Sequence, residues 1–228
     1  MGESLMIGEP GIEVHLRRSN RARRYSLRIS AADGAAYLTI PHRGSTKEAT
    51  KFAADHENWL RSRLAALPDL IIPGLGTELP FEGRCLLVAK GDARSVRLEG
   101  GRLFVPGPSE RVPVRIKAFL VEAARNRLAH ASDHYAGQLG RRHAGITLRD
   151  TKSRWGSCSS EGRLMYSWRL IMAPPEVLSY VAAHEVAHLA EMNHSAAFWK
   201  QVDKLFPDHK SQRQWLRDEG RSLHRFKF

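Results

Sequence analysis

Residues 184–194 read HEVAHLAEMNH. Two histidines four apart on a helix project from one face, about 6 Å apart along the axis, so both rings can reach one ion. A glutamate beside the first histidine puts a carboxylate next to that ion, where it can take a proton from an activated water. His184 and His188 are therefore candidate metal ligands, and Glu185 is a candidate general base. Two ligands are too few. A catalytic zinc takes three from the protein and keeps one position open for water.

Glu191 and His194 are the candidates for the third. Glu191 stays near the same helical face, but three ligands along one straight helix fan out in a line and surround a tetrahedral ion poorly. Six residues after His188, His194 points away unless the chain turns back. The related pattern H-E-x-x-H-x-x-G-x-x-H has glycine where this chain has Glu191. Asn193 can supply the turn instead, because asparagine tolerates the left-handed backbone that ends helices. That geometry favours His194. The same helix is otherwise apolar, and burying two imidazoles and a carboxylate there without a metal would be costly.

Several elements must position this segment. Pro174-Pro175 opens the motif helix, since proline at the first helical position sacrifices no hydrogen bond. Ser195 caps a further helix with Phe198, Val202 and Leu205 inward. A long helix is predicted from about Val114 to Leu139, ending at Gly140. ITLRD and GRLMYSW read as strands around the turn region SRWGSCSSEG. Upstream, EVHLRR, RRYSLRIS and AAYLTIP alternate apolar and polar residues, with a turn at Asp33-Gly34. Ser45 or Thr46 then caps a helix running to about Leu67. More short strands follow near Glu78–Lys90 and Ser95–Val105. The segment VPGPSERVP, residues 105–113, is the clearest boundary. It predicts a β-rich domain with one helix over residues 1–108 and a second domain over 109–228. Cys85, in the run CLLV, reads as core, and so do the five tryptophans.

The chain has 228 residues and a net charge of +12. The excess is spread out: 11 basic against 8 acidic residues in 1–75, 12 against 7 in 76–145 and 13 against 9 in 146–228. A basic surface admits nucleic acid or nucleotide as partner, without marking a dedicated tail. No apolar run approaches 18 residues, which argues against membrane insertion. Two cysteines 73 positions apart make no disulfide framework, and with no signal-peptide pattern at the start they predict a cytoplasmic protein.

The motifs WGSC (Trp155–Cys158), PP (Pro174-Pro175), YV-x-x-HE-x-x-H (Tyr180–His188) and NHS-x-x-FW (Asn193–Trp199), with Arg21-Ala22-Arg23-Arg24 upstream, strongly resemble the YgjP-like metal-dependent hydrolases, relatives of the SprT-like and Wss-type metalloproteases. The resemblance covers most of the chain. It implies an α+β, zincin-like catalytic domain with the HExxH helix and a small mixed sheet, preceded by the β-rich domain. It implies one zinc per chain on His184, His188 and His194, with Glu185 as base. It also implies a protein or peptide substrate lying antiparallel to the edge strand before the motif helix. That strand is expected at Arg163, Leu164, Met165, Tyr166 and Ser167. Tyr166, Arg169 and Tyr180 are candidates for stabilising the developing oxyanion or supporting the site.

Two rival readings remain open at this level. The same activated water could attack phosphorus, as a nucleotide (UTP) pyrophosphatase, although neither a G-x-x-x-x-G-K-[ST] loop nor an acidic magnesium cluster is present. Alternatively, zinc could be structural in a nucleic-acid-binding module built on RRSNRARRYSLR and RSLHRFKF. Cys158 would then be the only candidate fourth ligand.

Overall fold

A computed structural model describes residues 3–30, 34–65 and 70–228. The expected turn residue Asp33 and the expected helix end at Leu67 lie outside the described residues. The chain divides into two compact units, residues 1–69 and 70–228, each with its own core. The expected boundary after residue 108 falls inside the second unit.

The first unit is a four-stranded sheet with two helices. Its strands are β1 (Ser4–Ile7), β2 (Ile12–Ser19), β3 (Ser26–Ile29) and β4 (Ala36–Pro41), in the order β1-β2-β4-β3. Alternation decides which side is buried: Leu27 and Ile29 pack on the core while Ser26 and Arg28 face out. Ser45 caps α1 (Thr46–Asp55) by accepting the Lys47 N–H at 3.2 Å. The single long helix expected here is broken at His56, whose backbone leaves the helical region, and α2 (Glu57–Ala65) follows. Trp59 on α2 is exposed, not core.

The second unit begins with β5 (Glu78–Phe81), β6 (Arg84–Gly91), β7 (Arg97–Glu99) and β8 (Arg102–Pro106), ordered β5-β6-β8-β7. Leu79, Leu86, Val88, Leu103 and Val105 join the same core as the motif helix, which is why these strands belong with it. Cys85 is exposed: CLLV is not a buried run but an alternating strand, with Leu86 and Val88 inward. The long helix α3 (Val112–Leu139) buries Ile116, Leu120, Ala124, Leu128 and Tyr135 along one stripe. Gly140 ends it in the left-handed conformation (φ 65°).

A three-stranded mixed sheet then forms from β9 (Gly145–Arg149), β10 (Gly156–Cys158) and β11 (Arg163–Ser167). Its order is β10-β11-β9, with β10 antiparallel and β9 parallel to β11. Arg163, Leu164, Met165, Tyr166 and Ser167 thus form the central strand. Both its edges are already hydrogen-bonded, so it cannot receive an added chain, and the expectation of an edge strand there is corrected. The edge strands are β10 and β9, and β10 is the one packed beside the motif helix. A 3-10 segment (Trp168–Met172) leads into α4 (Pro175–Ala187), the motif helix, with Pro175 in its first turn. Then come α5 (Ala196–Leu205), capped by Ser195, and α6 (His209–Asp218). Among the described residues, no helix is long and apolar enough to cross a membrane.

Candidate metal centre

The helix α4 carries His184 on its last turn and stops at Ala187. His188 is the capping residue, and the chain tightens at once through Leu189 N–H to Val186 O and Ala190 N–H to Ala187 O. The return therefore begins at the second histidine, five residues before Asn193. Asn193 is not left-handed, since the positive-φ residues other than glycine among those described are Glu82 and Asp208. Its side chain instead accepts the Ser195 N–H at 3.2 Å, which stiffens the approach to α5. The expectation that Asn193 makes the turn is thus corrected.

This return brings His194 back over α4. Nitrogen atoms of His184, His188 and His194 lie within 4.8 Å of one another. Glu191, the other candidate, is outside the cluster. His188 Nδ1 lies 2.9 Å from the Glu191 carbonyl oxygen. A carbonyl can only accept, so Nδ1 holds the proton and Nε2 is left with its lone pair. The backbone of Glu191, rather than its carboxylate, is what serves the site.

The donor set fits a metal ion. Nε2 atoms of His184 and His194 face each other at 3.1 Å with no carboxylate among the clustered ligand atoms, and His184 Nδ1 is buried without a partner. Burial, then the neighbouring His188 and His194, pushes the His184 pKa down to about 3. The ring stays neutral over the physiological range, which is the form that binds a metal. Phe198 packs against all three rings, and Trp199 against His184 and His194, fixing their orientations.

Glu185 is buried between α4 and β10. An added Cβ on Gly156 would come 2.6 Å from its carboxylate oxygen, so only glycine leaves room for this side chain against the strand. Burial raises its pKa to about 8, opposed by Arg154. The carboxylate lines two adjoining pockets of the cleft, one with Arg154, Trp155, Tyr180 and Leu216, the other with Ser157, Cys158, Met192 and the three histidines.

The remaining candidates fall in different places. Tyr180 lines the cleft, its ring 5.9 Å from His184 and stacked on His209. Tyr166 is fully buried and its hydroxyl pairs with Ser132 of α3 at 2.9 Å. Arg169 is turned away: it forms a two-pronged ion pair with Asp150 (2.6 and 3.1 Å) and donates to the Leu223 and Phe226 carbonyls. It anchors the carboxy-terminal segment. Cys158 lines the cleft but its ligand atom lies outside the histidine cluster; burial and the Glu185 charge push its thiol up to about 11, so it stays protonated. Gly156 belongs to the WGSC motif, but its role in making room for Glu185 and the place of Arg154 in the cleft emerge only from the fold. The signal was the small-residue run Gly-Ser-Cys after Trp155, short enough to pass for a turn.

The pKa shifts predict how the metal-stripped protein responds to pH. Glu185 holds its proton to about pH 8 when folded, against an ordinary value of 4.5, so the unfolded chain loses its proton first and stability falls as pH rises through that window. His184 works in the opposite direction. The unfolded chain is protonated below 6.5 while the folded ring resists to about 3, so stability falls as pH drops. Chelated Glu185→Gln should therefore lose less Tm than chelated wild type between pH 5 and pH 8.5. The expected difference, read by thermal melts, is about 4 °C or more.

The comparisons define first a class. A family model described as the YgjP-like metallopeptidase domain matches residues 23–219. The chain belongs to the YgjP-like family. Among solved structures, the zymogen of the Pyrococcus abyssi metallopeptidase abylysin is similar at 24% identity, covering 40% of this chain and 95% of that one, with a TM-score of 0.37. The zymogen of the Methanocaldococcus jannaschii metallopeptidase jannalysin is similar at 18% identity, covering 40% and 85%, with a TM-score of 0.34. A comparison with curated proteins finds no match.

Proposed function

We propose that this protein is a zinc-dependent metallopeptidase with a zincin-like catalytic unit. The observation that carries the reading is the convergence of His184, His188 and His194 beside a buried Glu185, directly against the free edge of β10. The three imidazoles would hold one zinc per chain. When bound, zinc supplies a Lewis acid for the carbonyl and lowers the pKa of a water. Glu185 takes that water's proton and later delivers it to the leaving amine. Tyr180, which lines the same cleft, would donate a hydrogen bond to the developing oxyanion.

Substrate geometry follows from β10. Ser167 N–H donates to Trp155 O, and Ser159 N–H to Arg163 O. Odd-numbered residues of this stretch therefore pair with β11, and the backbone N–H and C=O of Gly156 and Cys158 point to the open side. An extended peptide adds there as a strand.

The test is a panel of unfolded proteins and nucleoside triphosphates incubated with the purified chain. Peptide cleavage should stop on chelation and return with one equivalent of zinc, with triphosphates untouched. Triphosphate hydrolysis without peptide cleavage would overturn the reading.

A further inference from the structure

An open pocket of ≈ 530 Å³ adjoins the cleft, lined by Lys152, Arg154, Trp155, Leu216, Arg217 and Arg221 among others. No carboxylate lines it. The ion pairs among the described residues involve none of its four cations. Asp150, next to the lining residue Thr151, is committed to Arg169, and Asp218, next to Arg217, accepts from Gln214; neither lines the pocket. Four cations around one cavity repel one another, and a bound anion relieves that repulsion.

This pocket is continuous with the candidate metal centre. Arg154, Trp155 and Leu216 line both it and the part of the cleft that holds His184 and Glu185. Direction comes from the strand. β10 runs from Gly156 to Cys158, so the cationic segment Lys152–Arg154 lies beyond its amino-terminal end. A peptide antiparallel to β10 enters past Cys158 and leaves toward Trp155. Its residues beyond the scissile bond are the ones that run toward the pocket, and because the pocket shares Arg154, Trp155 and Leu216 with the cleft, the first few are the closest to it.

Resting on the peptidase reading above, we propose that this pocket selects substrates carrying a carboxylate within the first three or so residues on the carboxyl-terminal side of the scissile bond. The carboxylate comes from an aspartate or glutamate side chain or from the substrate's own terminus. Guanidinium groups bind carboxylates through paired, charge-assisted hydrogen bonds. Trp155 and Leu216 supply an apolar wall for the side chain's methylenes.

The experiment digests a peptide library with the zinc-loaded full chain and sequences the new amino termini. Aspartate and glutamate should be enriched about tenfold in the first three positions after the cut, the discrimination that charge-assisted contacts supply. In the double variant Arg217→Glu/Arg221→Glu, the lining carries two cations and two anions, and the acidic preference should be lost. Both side chains are exposed, and thermal melts check that the variant folds. Amidated copies of the library separate the two carboxylate sources: enrichment that survives amidation assigns side chains, and enrichment lost with it assigns the terminus. Cleavage without acidic enrichment, or with the same enrichment in the double variant, overturns the proposal and leaves the peptidase reading standing. So does an oligonucleotide that binds wild type and not the variant while peptide preference is unchanged. No cleavage of any peptide removes both.

Discussion

Glu185→Gln is expected to lower kcat for peptide cleavage by about 10²–10⁴-fold, the range that a positioned general base contributes, while the protein still binds one zinc per chain. The amide is nearly isosteric, so it fits the space that Gly156 leaves against β10. It cannot take a proton from water. Glu185 is not among the converging ligand atoms, so metal content should not change. Burial without a fixed hydrogen-bond partner is what raises its proton affinity, and a carboxylate of raised pKa is a stronger base once it has lost its own proton. Metal analysis of the same sample that is assayed checks the assignment. Full activity with zinc retained would remove Glu185 from the mechanism.

The second large effect separates the two acids and bases at the end of the motif. His194→Ala should weaken zinc binding by roughly 10²-fold or more and abolish turnover, because loss even of an outer-shell partner costs 10–100-fold. His194 is exposed and follows a tight return, so the core should survive its removal. Glu191→Ala should bind zinc like wild type. What Glu191 contributes is its carbonyl, which holds His188 Nδ1, and alanine keeps that carbonyl. Competition against a metallochromic chelator reads both affinities. If Glu191→Ala loses zinc and His194→Ala does not, the ligand set is wrong.

The motif was legible in the sequence because its information is local. Spacing alone put His184 and His188 on one helical face, and proline at the first turn marked where that helix begins. The turn was less legible. Which residue ends a helix depends on what caps it, and here the cap is a ring-to-carbonyl bond from His188 to Glu191 that no propensity scale anticipates. Strand order failed for a related reason. A three-residue strand such as Gly156–Cys158 carries too little alternation to read, so the longer Arg163–Ser167 took its role. Arg169 was near the motif in sequence, but its partners Leu223 and Phe226 are more than fifty residues away. The domain boundary moved because a proline- and glycine-rich segment marks a turn, whereas a domain is defined by a shared core, and Leu79 through Val105 share theirs with α4.

The central claim is an open metal centre on three imidazoles. X-ray absorption at the zinc edge of the loaded protein tests it most directly. The expected spectrum has nitrogen or oxygen scatterers alone at about 2.0–2.1 Å, with a multiple-scattering pattern of three imidazoles and one exchangeable oxygen. A sulfur scatterer near 2.3 Å, the thiolate distance that Cys158 would give from the cleft, would close the site and contradict it.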